Sequence, residues 1–156
     1  MNPMRSAETK NGRKVTILEL EDCQGKFESV PAKPFGALVI VVDDKLDRKA
    51  FKGLATRLLE AGCAWTTLHA GKNTQKLHQA FDDAIVEYQL TEDSDADMDT
   101  SGEDEDNLEE SMRDAVWLGY PSYGDPFAEL LVLILGKETE RTAEQAESLA
   151  AGVEQA

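Results

Sequence analysis

Ala37-Leu38-Val39-Ile40-Val41-Val42-Asp43-Asp44 is the stretch that decides the fold of this chain. Six apolar residues in a row, four of them β-branched, favour an extended strand. A strand with one wet face alternates polar and apolar residues. This one does not, so both of its faces are expected to be covered, which makes it a central strand between layers of helices.

The segments on its C-terminal side fit that placement. Asp47 to Ala61 carries Ala50, Leu54, Leu58 and Ala61 at spacings of three and four, with Phe51, Ala55 and Leu59 widening the stripe, and reads as an amphipathic helix. Asp44 or Asp47 can cap its start and Gly62 its end. Gly53 stands inside it at a propensity cost of about 1 kcal/mol and is expected to allow close packing on the sheet. Cys63 to His69 reads as a second strand, and Thr74 to Tyr88 as a second helix with its stripe on Leu77, Phe81, Ala84, Ile85 and Tyr88. Each crossover is long enough to bring the chain back parallel.

Residues 91–111 break the pattern. Eleven of them are Asp or Glu, and no lysine or arginine occurs between Lys76 and Arg113. Mutual repulsion and few apolar anchors predict a disordered acidic insertion. Asp114 to Tyr120 then reads as a third strand and Phe127 to Leu135 as an apolar helix, although Leu131 to Leu135 alone also suits a strand. Val15 to Leu20 reads as a further strand at the sheet edge. The expectation is an α/β fold with a small open, mostly parallel sheet of three to four strands. It is Rossmann- or flavodoxin-like, in order 2-1-3, with about three flanking helices. Residues 1–14 are expected to be a flexible N-terminus, 15–136 a single domain, and 137–156 a polar C-terminal helix or tail.

Composition narrows the function classes. The 156 residues carry a formal charge of -15, from 31 acidic and 16 basic residues, with a mean hydropathy of -0.43. Such a field repels nucleic acid and anionic membranes, whose recognition depends on cationic side chains. The apolar run Leu130 to Leu135 is far shorter than the roughly 20 residues of a membrane span. Cys23 and Cys63 form no CxxC pair and no signal peptide precedes them, so reduced thiols in a cytoplasmic protein are expected.

Candidate chemistry gathers where strands end. In a parallel sheet the carboxyl ends of the strands border the ligand crevice. Asp43 and Asp44 leave the central strand there and form a carboxylate pair suited to Mg²⁺; no other cofactor is suggested. His69, Tyr120, Tyr123 and Asp125 fall at neighbouring strand ends and are candidates for a pocket rim. His78 and Cys63 lack the spacings of a zinc site or a Cys–His nucleophile pair and read as structural. The loop opening at Asp97 has glycine at position 6 of a calcium loop but Leu108 at position 12, where a bidentate glutamate is required.

Two resemblances follow from these residues. Val39-Ile40-Val41-Val42-Asp43-Asp44, then a helix, then a strand ending Leu68-His69-Ala70-Gly71, resembles the opening of a response-regulator receiver domain. That family would imply magnesium on the acidic pair, but the phosphoacceptor aspartate is missing from Val116-Trp117-Leu118-Gly119-Tyr120. Leu59-Glu60-Ala61-Gly62-Cys63-Ala64-Trp65, with Leu77-His78, Phe81-Asp82-Asp83-Ala84 and the later tryptophan segment, is similar to a small bacterial α/β domain family of unknown function over residues 35–136.

The function that fits best is a non-catalytic protein-interaction or accessory module, acting through a protein partner or self-association, with no nucleic acid and no membrane. One alternative is a small-ligand or Mg²⁺-dependent enzyme using Asp43 and Asp44. The other is a degenerate receiver-like signalling module, which requires five parallel strands.

Overall fold

The computed structural model describes residues 4–21, 31, 33–42, 47–102, 107–118, 129–137 and 139–155. Its core is a six-stranded sheet in the order β1-β2-β6-β3-β4-β5. The strands are β1 (Met4–Glu8), β2 (Lys14–Leu20), β3 (Phe35–Val41), β4 (Cys63–His69), β5 (Asp99–Ser101) and β6 (Glu129–Leu135). Only β1 runs antiparallel, against β2. The other five are mutually parallel.

The apolar run that opened the sequence is β3, and it lies between β6 and β4 as a central strand should. Phe35, Ala37 and Val39 pack into one core layer, Leu38 and Ile40 into the other. The order around it is the expected 2-1-3, but its third strand is β6. Phe127 to Leu135 was expected as a helix. Its apolar run is buried on both sides, Leu131, Leu133 and Leu135 towards one core and Leu130, Val132 and Ile134 towards the other. That pattern matches β3, and it leaves no polar stripe for a surface helix.

Asp114 to Leu118 is correspondingly not a strand, and Gly119 and Tyr120 lie outside the described residues. Leu108–Arg113 is a helix, α3, that runs into a π-helical turn at Asp114–Leu118. Leu108, Met112, Ala115 and Val116 follow a helical period and lie in the core layer that Leu130, Val132 and Ile134 face. The Asn107 side chain accepts from the Glu109 amide at 2.9 Å, and Glu109 and Glu110 sit in the first turn with Arg113 in the last. Each of those charges suits the helix dipole.

Part of the acidic stretch is therefore ordered, contrary to expectation. Met98 is 3% exposed within the core, and β5 pairs with β4 at Trp65, Thr66 and Thr67. Residues 103–106 of that stretch lie outside the described residues. The N-terminal stretch supplies β1 instead of a flexible lead. The C-terminal stretch forms a helix, α4 (Glu140–Gly152), whose Ala143, Ala146 and Ala150 are fully buried.

Helices α1 (Arg48–Ala61) and α2 (Thr74–Thr91) cover one face of the sheet; α3 and α4 cover the other. Asp47 caps α1 by accepting from the Lys49 and Ala50 amides. Gly62 closes it at φ 100°, where an added Cβ would meet the Lys33 side chain at 2.6 Å. The ion pairs Arg48–Asp83 and Lys52–Glu87 step the same way along both helices, so α1 and α2 run parallel.

The five parallel strands meet the count a receiver domain needs but not its order. In chain sequence they lie 1-5-2-3-4, against 2-1-3-4-5 for the flavodoxin and receiver arrangement.

Candidate functional site

The carboxyl edge of the sheet is where ligand chemistry was expected. His69 ends β4 and is paired in register with Ile40 of β3. The Val42 amide, just beyond β3, donates to the Leu135 carbonyl at 3.0 Å, and Gly136 donates to Leu20 at 2.9 Å, so β2, β6 and β3 end level. From Val42 the chain continues into Asp43 and Asp44, which lie outside the described residues, as do Tyr120, Tyr123 and Asp125. His69 is thus the one residue of the expected pocket that the structure places.

Its partner was not foreseen. The His69 Nδ1 lies 2.7 Å from the Ser111 Oγ, and Ser111 is only 6% exposed. Forty-two residues separate the two, and Ser111 falls in the stretch read as disordered, so no sequence spacing announced the contact. A second polar pair sits on the same face of the sheet: Thr139 donates to the Glu19 carboxylate at 2.8 Å, and Glu19 is 9% exposed. A buried carboxylate needs such a donor to offset its lost hydration. Among the described residues, no group of three or more His, Cys, Asp and Glu is placed to hold a metal ion.

His78 sits elsewhere and holds structure together. Thr100 on β5 donates to the Asp82 Oδ1 at 2.7 Å, which leaves its oxygen to accept from the His78 Nε2 at 2.7 Å. The cluster ties α2 to the edge strand. Cys63 opens β4 at the amino end of the parallel strands. Burial pushes its thiol up from 9.0 to about 12, against weaker opposing hydrogen bonds with Thr66 and Trp65. A nucleophilic cysteine needs its thiolate, so this one is inert at neutral pH.

A different surface stands out on the helix layer. A groove between α1 and α2 holds two hollows. One, of about 190 Å³, is floored by Phe51, Leu77 and Ala80 and rimmed by Arg48 and Lys76. The other, of about 250 Å³, lies beside Gly53, Thr56, Glu87 and Tyr88. Gly53 does not pack on the sheet as expected. It is exposed, and among the described residues nothing lies within 4 Å of where its Cβ would stand. Val86 and Leu90, one turn apart on α2, are 52% and 79% exposed.

These features define an open, mostly parallel α/β domain with polar pairs at its carboxyl edge and a grooved helix layer on one face. The model of the DUF7684 domain of unknown function matches residues 15–152, and the chain belongs to that family. No curated protein matches the chain, and no solved structure does. Among the described residues no helix is long and apolar enough to cross a membrane.

Proposed function

We propose that the domain is a non-catalytic protein-interaction module whose contact face is the α1–α2 layer. The observation that carries this reading is how charge is distributed. Residues 47–93 hold six basic and seven acidic residues, a net charge of -1, in a chain of -15. The excess acid falls on residues 94–156, three basic against seventeen acidic, and there like charge opposes close approach of another acidic protein; over the α1–α2 layer it does not. The same face presents Val86, Leu90 and the groove, and apolar groups beside a hollow are the usual core of a contact patch.

Amine cross-linking of the protein at its native level in cells tests the reading. Inter-protein cross-links are expected at Lys49, Lys72 and Lys76, which are exposed around this layer. Cross-links confined to Lys10, Lys14 and Lys137, or none between proteins, would overturn it.

One observation favours a second reading, a small-ligand or Mg²⁺-dependent enzyme. His69 and its hydroxyl partner Ser111 stand at the end of β4, and Asp43 follows β3, the neighbouring strand, two residues past Val41. On this reading Asp43→Asn abolishes magnesium binding in calorimetry while the melting curve stays put. An unchanged isotherm removes it.

A further inference from the structure

We infer that the occupant of the α1–α2 face is a second copy of this chain, related by a two-fold axis running along the helices. The inference rests on the interaction reading above and names its partner.

The face is complementary to itself. Helix α1 carries Arg48, Lys49, Lys52 and Arg57 against Glu60 alone, a net charge of +3. Helix α2 carries Lys76 against Asp82, Asp83 and Glu87, a net charge of -2, and is followed by Glu92 and Asp93. Within one chain the two helices lie side by side, and two ion pairs join them. A two-fold axis parallel to the helices lays the basic α1 of each copy over the acidic α2 of the other. Such an isologous contact uses the same patch twice and closes as a dimer.

The register of the two helices matches the same pairing. A two-fold axis along the helices leaves heights along them unchanged. Both intrachain ion pairs span 35 residues, so they fix which residues of α1 and α2 stand level. On that scale Val86 stands level with Phe51 and Leu90 with Ala55, on either side of Gly53. The two most exposed apolar side chains of α2 therefore come down on the partner's α1 around its one position without a side chain, where open space is available. Lys49 of each copy lies about one residue from the height of the other's Asp83, and Lys52 at the height of its Glu87. A glycine in the middle of a helix is unfavourable against alanine. Among the described residues nothing uses the space it opens, and a partner's side chain does.

The test uses the full chain in sedimentation velocity across a concentration series, with two charge-swapped variants. The first carries Lys49→Glu and Lys52→Glu, the second Asp83→Lys and Glu87→Lys. Wild type is expected to dimerise, and each variant alone to associate at least tenfold more weakly, about 1.4 kcal/mol. An equal mixture of the two regains dimer, because each acidic α1 then meets a basic α2 and the reverse. Leu90→Lys also weakens the dimer, and thermal unfolding of each variant confirms that it is folded. A wild type that stays monomeric up to about 1 mM, a concentration that exposes even millimolar dissociation constants, would overturn the inference. So would a mixture that fails to recover, or a Leu90→Lys chain as dimeric as wild type. A monomeric protein that still forms cross-links through Lys49 to another polypeptide would sink the self-association alone and leave the interaction reading standing.

Discussion

Gly53 and Cys63 are single residues that carry opposite lessons about exposure. Gly53 is helical, outward-facing and uncrowded among the described residues, so in the dilute monomer Gly53→Ala meets no neighbour and gains helix propensity. The variant should unfold at higher denaturant, with a gain of up to about 1 kcal/mol. A loss of stability in a urea titration would mean that the backbone there is not an ordinary helix. Cys63 is enclosed, and its thiol is pushed up to about 12 by burial. The unfolded chain releases this proton near pH 9 and the folded chain holds it. The thiol's contribution to stability is therefore complete below pH 9 and lost as pH rises from 9 towards 12. Peptide-level alkylation should find Cys63 unmodified in the folded protein at pH 8 and modified promptly in urea. Prompt labelling without urea would contradict the burial.

Among the elements, β5 and α3 show what patterning reveals and what it hides. β5 has three polar residues and is held by contacts from outside itself. Thr66 donates to the Met98 sulfur at 3.1 Å, Gln75 donates to the Gly102 carbonyl at 2.9 Å, and the His78–Thr100–Asp82 cluster adds a third tie. Met98→Ala is accordingly expected to cost about 2–5 kcal/mol, the usual range for emptying a core methionine site, with hydrogen exchange rising first in β5. An effect below about 0.5 kcal/mol, typical of surface sites, would show that the strand does not depend on this anchor. Asn107→Ala should remove the α3 cap for about 1 kcal/mol.

The same elements explain which parts of the fold could be read beforehand. β3, α1, β4 and α2 were legible from their periodicity, and α1 also from its caps, Asp47 and Gly62. β5 was not, because its stability comes from Met98 and from partners up to 34 residues away rather than from its own composition. α3 left a usable signal, Asn107 with Glu110 three positions on, ahead of Met112, Ala115 and Val116. It was obscured by the surrounding acidic residues. β6 was exchanged for a helix because periodicity alone does not separate a doubly buried strand from a buried helix. At the end of β4 the sequence singled out His69 but gave no sign of its partner Ser111, since only the packing of α3 against β4 brings them within 2.7 Å.

At the scale of the whole molecule, the net charge of -15 misleads if it is taken as uniform. One helix layer is close to neutral, with a basic helix beside an acidic one. The opposite layer shows Glu109, Glu110, Glu140, Glu144 and Glu147 against Arg113 and Arg141. Association through the first layer avoids the repulsion that the second imposes, while charges separated by more than the roughly 8 Å Debye length of physiological salt are screened. Hydrogen exchange by mass spectrometry tests this most directly, comparing the dilute monomer with the assembly that cross-linking captures. Peptides spanning 48–61 and 74–91 should gain protection on assembly while those spanning 140–152 do not. Protection confined to 140–152, or equal on both layers, would contradict the assignment of the α1–α2 layer as the contact face.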